Sequence, residues 1–135
     1  MRRRLDSAIN RLNDRYVSYL GETKLISFHC ALIYVGGSLV STGFNKEKAN
    51  SFMMAFAHHE FVQSVHAECD AILRVRKKID LTGSRIYVAK LGRNGNVGNS
   101  KPCPMCELVL RRYGIKRVYF TLDEDSYESE RIRLS

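Results

Sequence analysis

Between Leu5 and Leu20 the apolar residues Leu5, Ala8, Ile9, Leu12, Tyr16, Tyr19 and Leu20 return every three or four positions. That period predicts an amphipathic helix that stops before Gly21. The pattern then changes to two β-rich runs, "ISFHCALIYV" (26–35) and "SLVSTGF" (38–44), separated by Gly36-Gly37. Gly-Gly suits a tight primed turn, so the pair reads as a hairpin. Residues 45–65 have no clean period and read as a loop holding at most a helical turn. Helical spacing resumes over Ala67–Lys78, apolar at Ala67, Ala71, Ile72 and Val75 and basic in its last turn. A strand, "SRIYVAKL" (84–91), follows the turn at Thr82-Gly83, and "GRNGNVGNSK" (92–101) is a Gly/Asn loop. Cys103–Tyr113 reads as a short helix stopped by Gly114, and "KRVYFTL" (116–122) as a further strand. The alternating "SERIRLS" (129–135) is read as a return strand.

Strands that alternate with helices in the second half imply crossovers and a sheet that is partly parallel. Such a sheet needs cover on both faces, which three helices supply. The expected fold class is therefore α/β, a three-layer α-β-α arrangement around a mixed sheet of about five strands. The length of 135 residues suits one domain: a helix over 1–20, a core over 25–122, and a short acidic tail over 123–135 with a terminal strand. No apolar run approaches a membrane span, and "MRRRLDSAINRL" lacks the apolar core of a signal peptide. The expectation is a soluble, cytoplasmic protein with no membrane partner.

Charge adds to this picture. The formal net charge is +8, with basic residues gathered in Arg2–Arg4, in "RVRKK" (74–78) and in "RRYGIKR" (111–117), while much of the acid lies in "DEDSYESE" (123–130). Such a surface attracts phosphate-bearing partners, from free nucleotides to single-stranded DNA or RNA. It equally fits charged helix faces that only keep the chain in solution.

Four cysteines, Cys30, Cys69, Cys103 and Cys106, are too few and too irregular for a disulfide framework. The C-x-x-C pair Cys103/Cys106 instead suggests metal or redox chemistry. A redox pair would follow the first strand of a βαβ unit, and a zinc ribbon would need a second C-x-x-C. Neither condition is met. His66 with Cys103 and Cys106 makes three ligands, and three ligands with one open position mark a catalytic zinc, which lowers the pKa of bound water toward neutrality. Each half of the set opens a predicted helix. Helix starts favour thiolates and gather at the carboxyl edge of parallel strands. Glu68 lies two residues past His66, so it does not share a helical face with it, yet at a first turn both can border one metal. A carboxylate there is placed to move protons. Cys69 reads as a bystander and Cys30 as a core residue.

"HAE" (66–68) followed by "PCPMC" (102–106) resembles the zinc-dependent cytidine deaminase-like superfamily, which carries an H-x-E…P-C-x-x-C signature. The resemblance spans roughly residues 25–122. It implies one catalytic zinc on His66, Cys103 and Cys106, attack at C4 of cytosine or C6 of adenine, and Glu68 as the proton shuttle. It further implies substrate contacts from Asn45, in "TGFN", and from Ala67, Ser100 and Pro102. Residues 91–101 are longer than in the tRNA adenosine deaminases, which turns the reading away from adenine. The short C-terminus fits a nucleoside deaminase better, whereas the charge points to phosphates. The function expected is deamination of cytosine to uracil in a free cytidine or deoxycytidine nucleotide. Alternatives are a cytosine deaminase that edits single-stranded DNA or RNA and a catalytically silent nucleic-acid-binding module. A homo-oligomer is an expectation carried by the resemblance alone.

Overall fold

The computed structural model describes residues 2–19, 27–46, 66–92 and 94–132. Helix α1 (Arg2–Tyr19) precedes strands β1 (Ser27–Val35) and β2 (Ser38–Phe44). Helix α2 (Ala67–Val75), strands β3 (Arg85–Gly92) and β4 (Val97–Gly98), and helix α3 (Pro104–Arg112) follow. Strands β5 (Arg117–Thr121) and β6 (Tyr127–Arg131) complete the sheet, whose order is β2-β1-β3-β5-β6 with β4 paired to β3. Among the described strands only β3 and β5 run parallel, and α3 lies in the crossover between them. The mixed sheet and the three helices among the described residues match the expected fold class.

Alternation along the strands divides the core in two. Phe28, Cys30 and Leu32 of β1 join Tyr87, Ala89 and Leu91 of β3 beneath Leu5, Ala8 and Leu12 of α1. The intervening Ala31, Ile33, Ile86 and Val88 face Ile72 of α2 and Val109 and Leu110 of α3. The sheet is thus covered on both sides, as a central parallel pair requires. Gly36 in the hairpin turn has φ of 60°, and Gly114 past α3 has φ of 75°, both conformations that side chains resist.

Some boundaries differ from the sequence pattern. Helix α1 starts at Arg2, ahead of its first apolar residue. Helix α2 ends at Val75 rather than Lys78: the N–H of Lys78 bonds the Val75 carbonyl three residues back, so the chain tightens there. Arg76, Lys77 and Lys78 are exposed and offer nothing to bury, whereas Ile79 beyond them packs against the core. The loop after β3 contains the two-residue β4. The last strand lies at 127–131, where it pairs with β5 through Thr121↔Tyr127 and Arg117↔Arg131, and residues 133–135 fall outside the described residues. The reading of 47–65 as a loop also falls outside them. No helix among the described residues is long and apolar enough to cross a membrane.

The contact that places α2 is its approach to β2. A Cβ built on Gly43 would lie 2.8 Å from Ala71 Cα and closer still to Ala71 N and Ala67 O. Ser41 Oγ donates to the Ala71 carbonyl at 2.7 Å across the same seam. Because only backbone stands in the way, nothing can swing aside to admit a methyl. Gly43→Ala is expected to destabilise the fold by about 3 kcal/mol. A urea melt of the two proteins checks this, with Gly37→Ala, where a Cβ meets open space, as the reference.

Candidate active site

Two helix starts converge at the carboxyl end of β3. His66 is the N-cap of α2 with φ −83° and ψ 151°, and Glu68 sits in the helix's first turn. Cys103 is the N-cap of α3 with φ −70° and ψ 165°, and Pro104 opens the helix. Proline suits that position because its fixed φ is helical and its missing N–H would have had no intrahelical partner. The carbonyls of His66 and Cys103 accept from Asp70 N–H at 3.0 Å and Glu107 N–H at 2.9 Å, so both first turns are closed. Cys106 then falls one turn after Cys103, on the same side of the helix.

His66 Nδ1 lies 3.1 Å from Cys106 Sγ and 3.5 Å from Cys103 Sγ, and the three ligand atoms fall within 4.8 Å of one another. Tetrahedral zinc with Zn–S near 2.3 Å and Zn–N near 2.0–2.1 Å separates its ligand atoms by about 3.5–3.8 Å. The site therefore has the donor types and very nearly the spacing that zinc needs. Among the described residues this is the group suited to a metal.

The protons of the three donors are unevenly held. Cys103 is drawn down to about 4, first by its hydrogen bond with Cys106 and also by one with His66. Cys106 is pushed well above the ordinary thiol range, because it shares hydrogen bonds with Cys103 and Cys69 and is buried. Of two adjacent thiols only one ionises readily. His66 is raised, chiefly by its bond to Cys103, against the opposing effect of burial. Glu68 is 4% exposed, and burial lifts its carboxyl above the usual carboxylate range, partly offset by its own N–H, His66 and Cys106.

The remaining sequence candidates take varied places. Ala67 is buried between His66 and Glu68, and its N–H is one of the donors a helix start leaves without an intrahelical partner. Pro102 is buried beside Cys103. Asn45 fastens the end of β2 to β1: its Oδ1 accepts from His29 N–H at 2.8 Å and its Nδ2 donates to the Ser27 carbonyl at 2.9 Å. Ser100 is 2% exposed, and its hydroxyl donates to the Val88 carbonyl at 2.8 Å, accepts from Thr121 N–H at 2.9 Å and lies 2.9 Å from Thr121 Oγ1. It ties the approach to Pro102 and Cys103 onto β3 and β5. Cys69 is buried behind the site with its thiol against Cys106.

Two residues were not singled out as part of the site by the sequence. Asp70 is buried, accepts from Phe44 N–H at 3.0 Å, and pairs with Lys46 at 3.0 Å and Arg74 at 3.2 Å. Burial alone would raise its pKa, but those bonds outweigh it and hold Asp70 below the usual range. An Asp four residues before an Arg was a helix-pair signal, though not one that points across to β2. His29, on the α2–α3 side of β1, lies opposite Lys90 of β3 and has its pKa lowered to about 4 by burial, then by Lys90 and His66. It is neutral at physiological pH. His58 and His59 fall outside the described residues. The basic clusters 74–78 and 111–117 lie at the far ends of α2 and α3, where Gly83 N–H meets the Gly114 carbonyl, away from the site.

Metal uptake should therefore be steeply pH-dependent. His66, raised, and Cys106, raised further, must each lose a proton before ligating, while Cys103 is already a thiolate above about pH 4. Zinc affinity is expected to fall as pH falls from 8 to 6, by about one to two orders of magnitude per pH unit. Competition with a chelating indicator across that range measures the slope, and a flat profile would contradict the ligand set. Cys103→Ala should lose zinc from the folded protein, read as metal content after dialysis.

The family model "Cytidine and deoxycytidylate deaminase zinc-binding region" matches residues 11–122. No curated protein sequence matches the chain significantly. Solved structures share its fold. Cytidine deaminase from Burkholderia pseudomallei aligns with a TM-score of 0.58 at 15% identity, over 94% of this chain and 91% of that one. The dCMP deaminase of cyanophage S-TIM5 aligns with a TM-score of 0.55 at 18% identity, over 90% and 84%. Cytidine deaminase from Mycobacterium leprae gives 0.54 at 18%, over 92% and 91%. With a matched region that includes both helix starts and a donor set suited to zinc, the chain belongs to the cytidine and deoxycytidylate deaminase zinc-binding family and is a zinc-dependent hydrolytic deaminase of the cytosine type.

Proposed function

We propose that this chain converts a cytosine base to uracil and ammonia in a free cytidine or deoxycytidine nucleotide. The observation that carries the reading is the buried Glu68 carboxyl beside three metal donors, with its pKa raised by that burial. His66, Cys103 and Cys106 would hold the zinc, and zinc in such a site supplies a water activated as a nucleophile at neutral pH. Glu68 takes the proton that this water gives up, delivers it to the ring nitrogen beside C4, and passes a second to the departing amine. Burial raises the proton affinity of this carboxyl above that of a free carboxylate, which favours its taking up the proton it must later deliver. Ala67 N–H is available to a base oxygen. Asn45 has one amide hydrogen beyond its bond to Ser27 for a sugar hydroxyl, and Pro102 contributes a dry wall. Ser100 supports them through the strand bonds that hold the cysteine turn.

Lys90 supports a phosphate-bearing substrate. It is the register partner of His29 at the carboxyl end of β3, and His29 registers both its charge and that of His66. The dCMP deaminase of cyanophage S-TIM5 has also been crystallised with dCMP and dUMP. Against a polynucleotide at this site stands the acidic turn Asp123–Asp125, exposed past the carboxyl end of β5.

Glu68→Gln is expected to keep zinc and fold while kcat drops about 10³-fold. Equal turnover in the two proteins would remove Glu68 from the chemistry. Given cytidine, dCMP and a cytosine-containing single strand, the enzyme should release ammonia fastest from the nucleotide, leaving a uracil base on the product. Reaction of the oligonucleotide alone would overturn this reading, and zinc-loaded protein inert on all three would favour a binding module. Lys90→Met should raise KM for dCMP about tenfold and leave cytidine unchanged, the difference expected of one phosphate contact.

A further inference from the structure

The end of the sheet opposite the metal donors carries a row of like charges. Arg85 of β3 pairs in register with Arg117 of β5, and Arg117 with Arg131 of β6. All three alternate onto the α1 side: Arg85 precedes Tyr87 and Arg117 precedes Tyr119, both in the α1 cluster, while Val118 and Ile132 face the other way. Neighbouring strands stand about 4.8 Å apart, and like charges directly opposite are destabilising. Folding alone therefore gives no reason for this row. No ion pair among the described residues engages any of the three, and among those residues their one side-chain hydrogen bond is from Arg117 Nη1 to Ser129 Oγ at 3.0 Å. Glu128 and Glu130 of β6 alternate to the opposite face.

The row continues into a cavity. Arg4 of α1 sits with its guanidinium 4.0 Å over the Tyr34 ring and donates to Tyr87 Oη at 2.9 Å. Arg4, Tyr34, Gly36, Gly83 and Arg85 line a hollow of about 270 Å³ without a carboxylate. A side chain at Gly36 or Gly83 would meet nothing within 4 Å, so the walls on that side are open. Helix α1 packs on β1, β3 and the near side of β5, and Tyr127, Ser129 and Arg131 of β6 remain exposed. Four guanidinium groups thus follow one track from the hairpin turn to the sheet edge.

We propose that this track binds the phosphodiester backbone of a single-stranded nucleic acid, as a docking surface separate from the deaminase site. Arginine forks match phosphate oxygens, and a line of them matches a chain of phosphates better than one free anion. The narrow hollow between α1 and the hairpin favours a single strand over a duplex. Five strand residues, roughly 17 Å, separate Arg85 from Lys90, and the sheet itself lies between the track and the metal donors. A strand held here anchors the protein without entering its own catalytic pocket.

Labelled oligothymidylate tests this, since it contains no cytosine and its binding is independent of the reaction. Fluorescence anisotropy on the full chain should show salt-dependent binding with a slope of log K against log salt of about −3, from four contacts at about 0.7 each. Arg117→Gln with Arg131→Gln should weaken binding at low salt at least tenfold and flatten the slope by about 1.4. The melting temperature should hold or rise, because a repulsion is relieved, and dCMP turnover should be unchanged. Arg117→Lys with Arg131→Lys should retain most of the binding. A control lacking Arg76, Lys77 and Lys78 charges (all to Gln) should change affinity less than twofold. The proposal is overturned if the control loses as much as the paired variant, if duplex DNA binds equally well, if tripolyphosphate at matched phosphate concentration displaces the strand, or if wild type shows no salt-dependent binding.

Discussion

Helix α2 lies so close to β2 that the backbone of Ala67 and Ala71 occupies the space where any residue but glycine at position 43 would put a side chain, and three polar contacts hold it there. Ser41 reaches the Ala71 carbonyl, Asp70 takes the Phe44 N–H, and Asp70 is itself clamped by Lys46 and Arg74. Since His66 caps this helix and Glu68 lies in its first turn, the seam fixes the backbone that carries them, and their side chains then meet Cys103 and Cys106. Buried Asp70 keeps its charge because the Phe44 N–H, Lys46 and Arg74 outweigh the cost of its burial. It acts as a rivet between strand and helix.

The second helix start is set in a different way. Cys103 follows a segment that Ser100 binds to β3 and β5, and Pro104 then turns the chain into α3. The two helices meet with a nitrogen and two sulfurs at near-coordination distance and a carboxyl sealed behind them. The electrostatics are mutually dependent. Burial that lifts Glu68 toward a useful proton affinity also makes two adjacent thiolates costly, so one thiol keeps its proton until a cation arrives.

Charge is segregated along the strands. Basic residues concentrate at the amino ends, from Arg76–Lys78 and Arg111–Arg112 on one side of the sheet to Arg4, Arg85 and Arg117 on the other. The acidic stretch closes the β5–β6 turn at the opposite end. The fold therefore places the basic clusters and the acidic stretch of the sequence at opposite ends of the sheet. This separation is why the charge, read as a total, did not discriminate between a nucleotide and a polynucleotide.

The elements whose patterns are local were legible directly: the hairpin around Gly36-Gly37, the N-terminal helix, the helix stopped by Gly114, and the strands "SRIYVAKL" and "KRVYFTL". The donor types and their attachment to helix starts were equally plain, because ligand chemistry and the proline pair are written within a few residues of each other. Less was readable wherever meaning depends on a distant partner. Asp70 was one acid in a helix, His29 one polar residue in a strand, and Ser100 a polar residue before a proline, until packing set them against Phe44, Lys90 and Thr121. Arg85, Arg117 and Arg131 were scattered charges until strand register aligned them. Periodicity and residue chemistry act over one turn of chain and so are encoded locally. Which side chains stand within 3 or 4 Å is decided by how the sheet buries its two faces, and only the tertiary structure determines that.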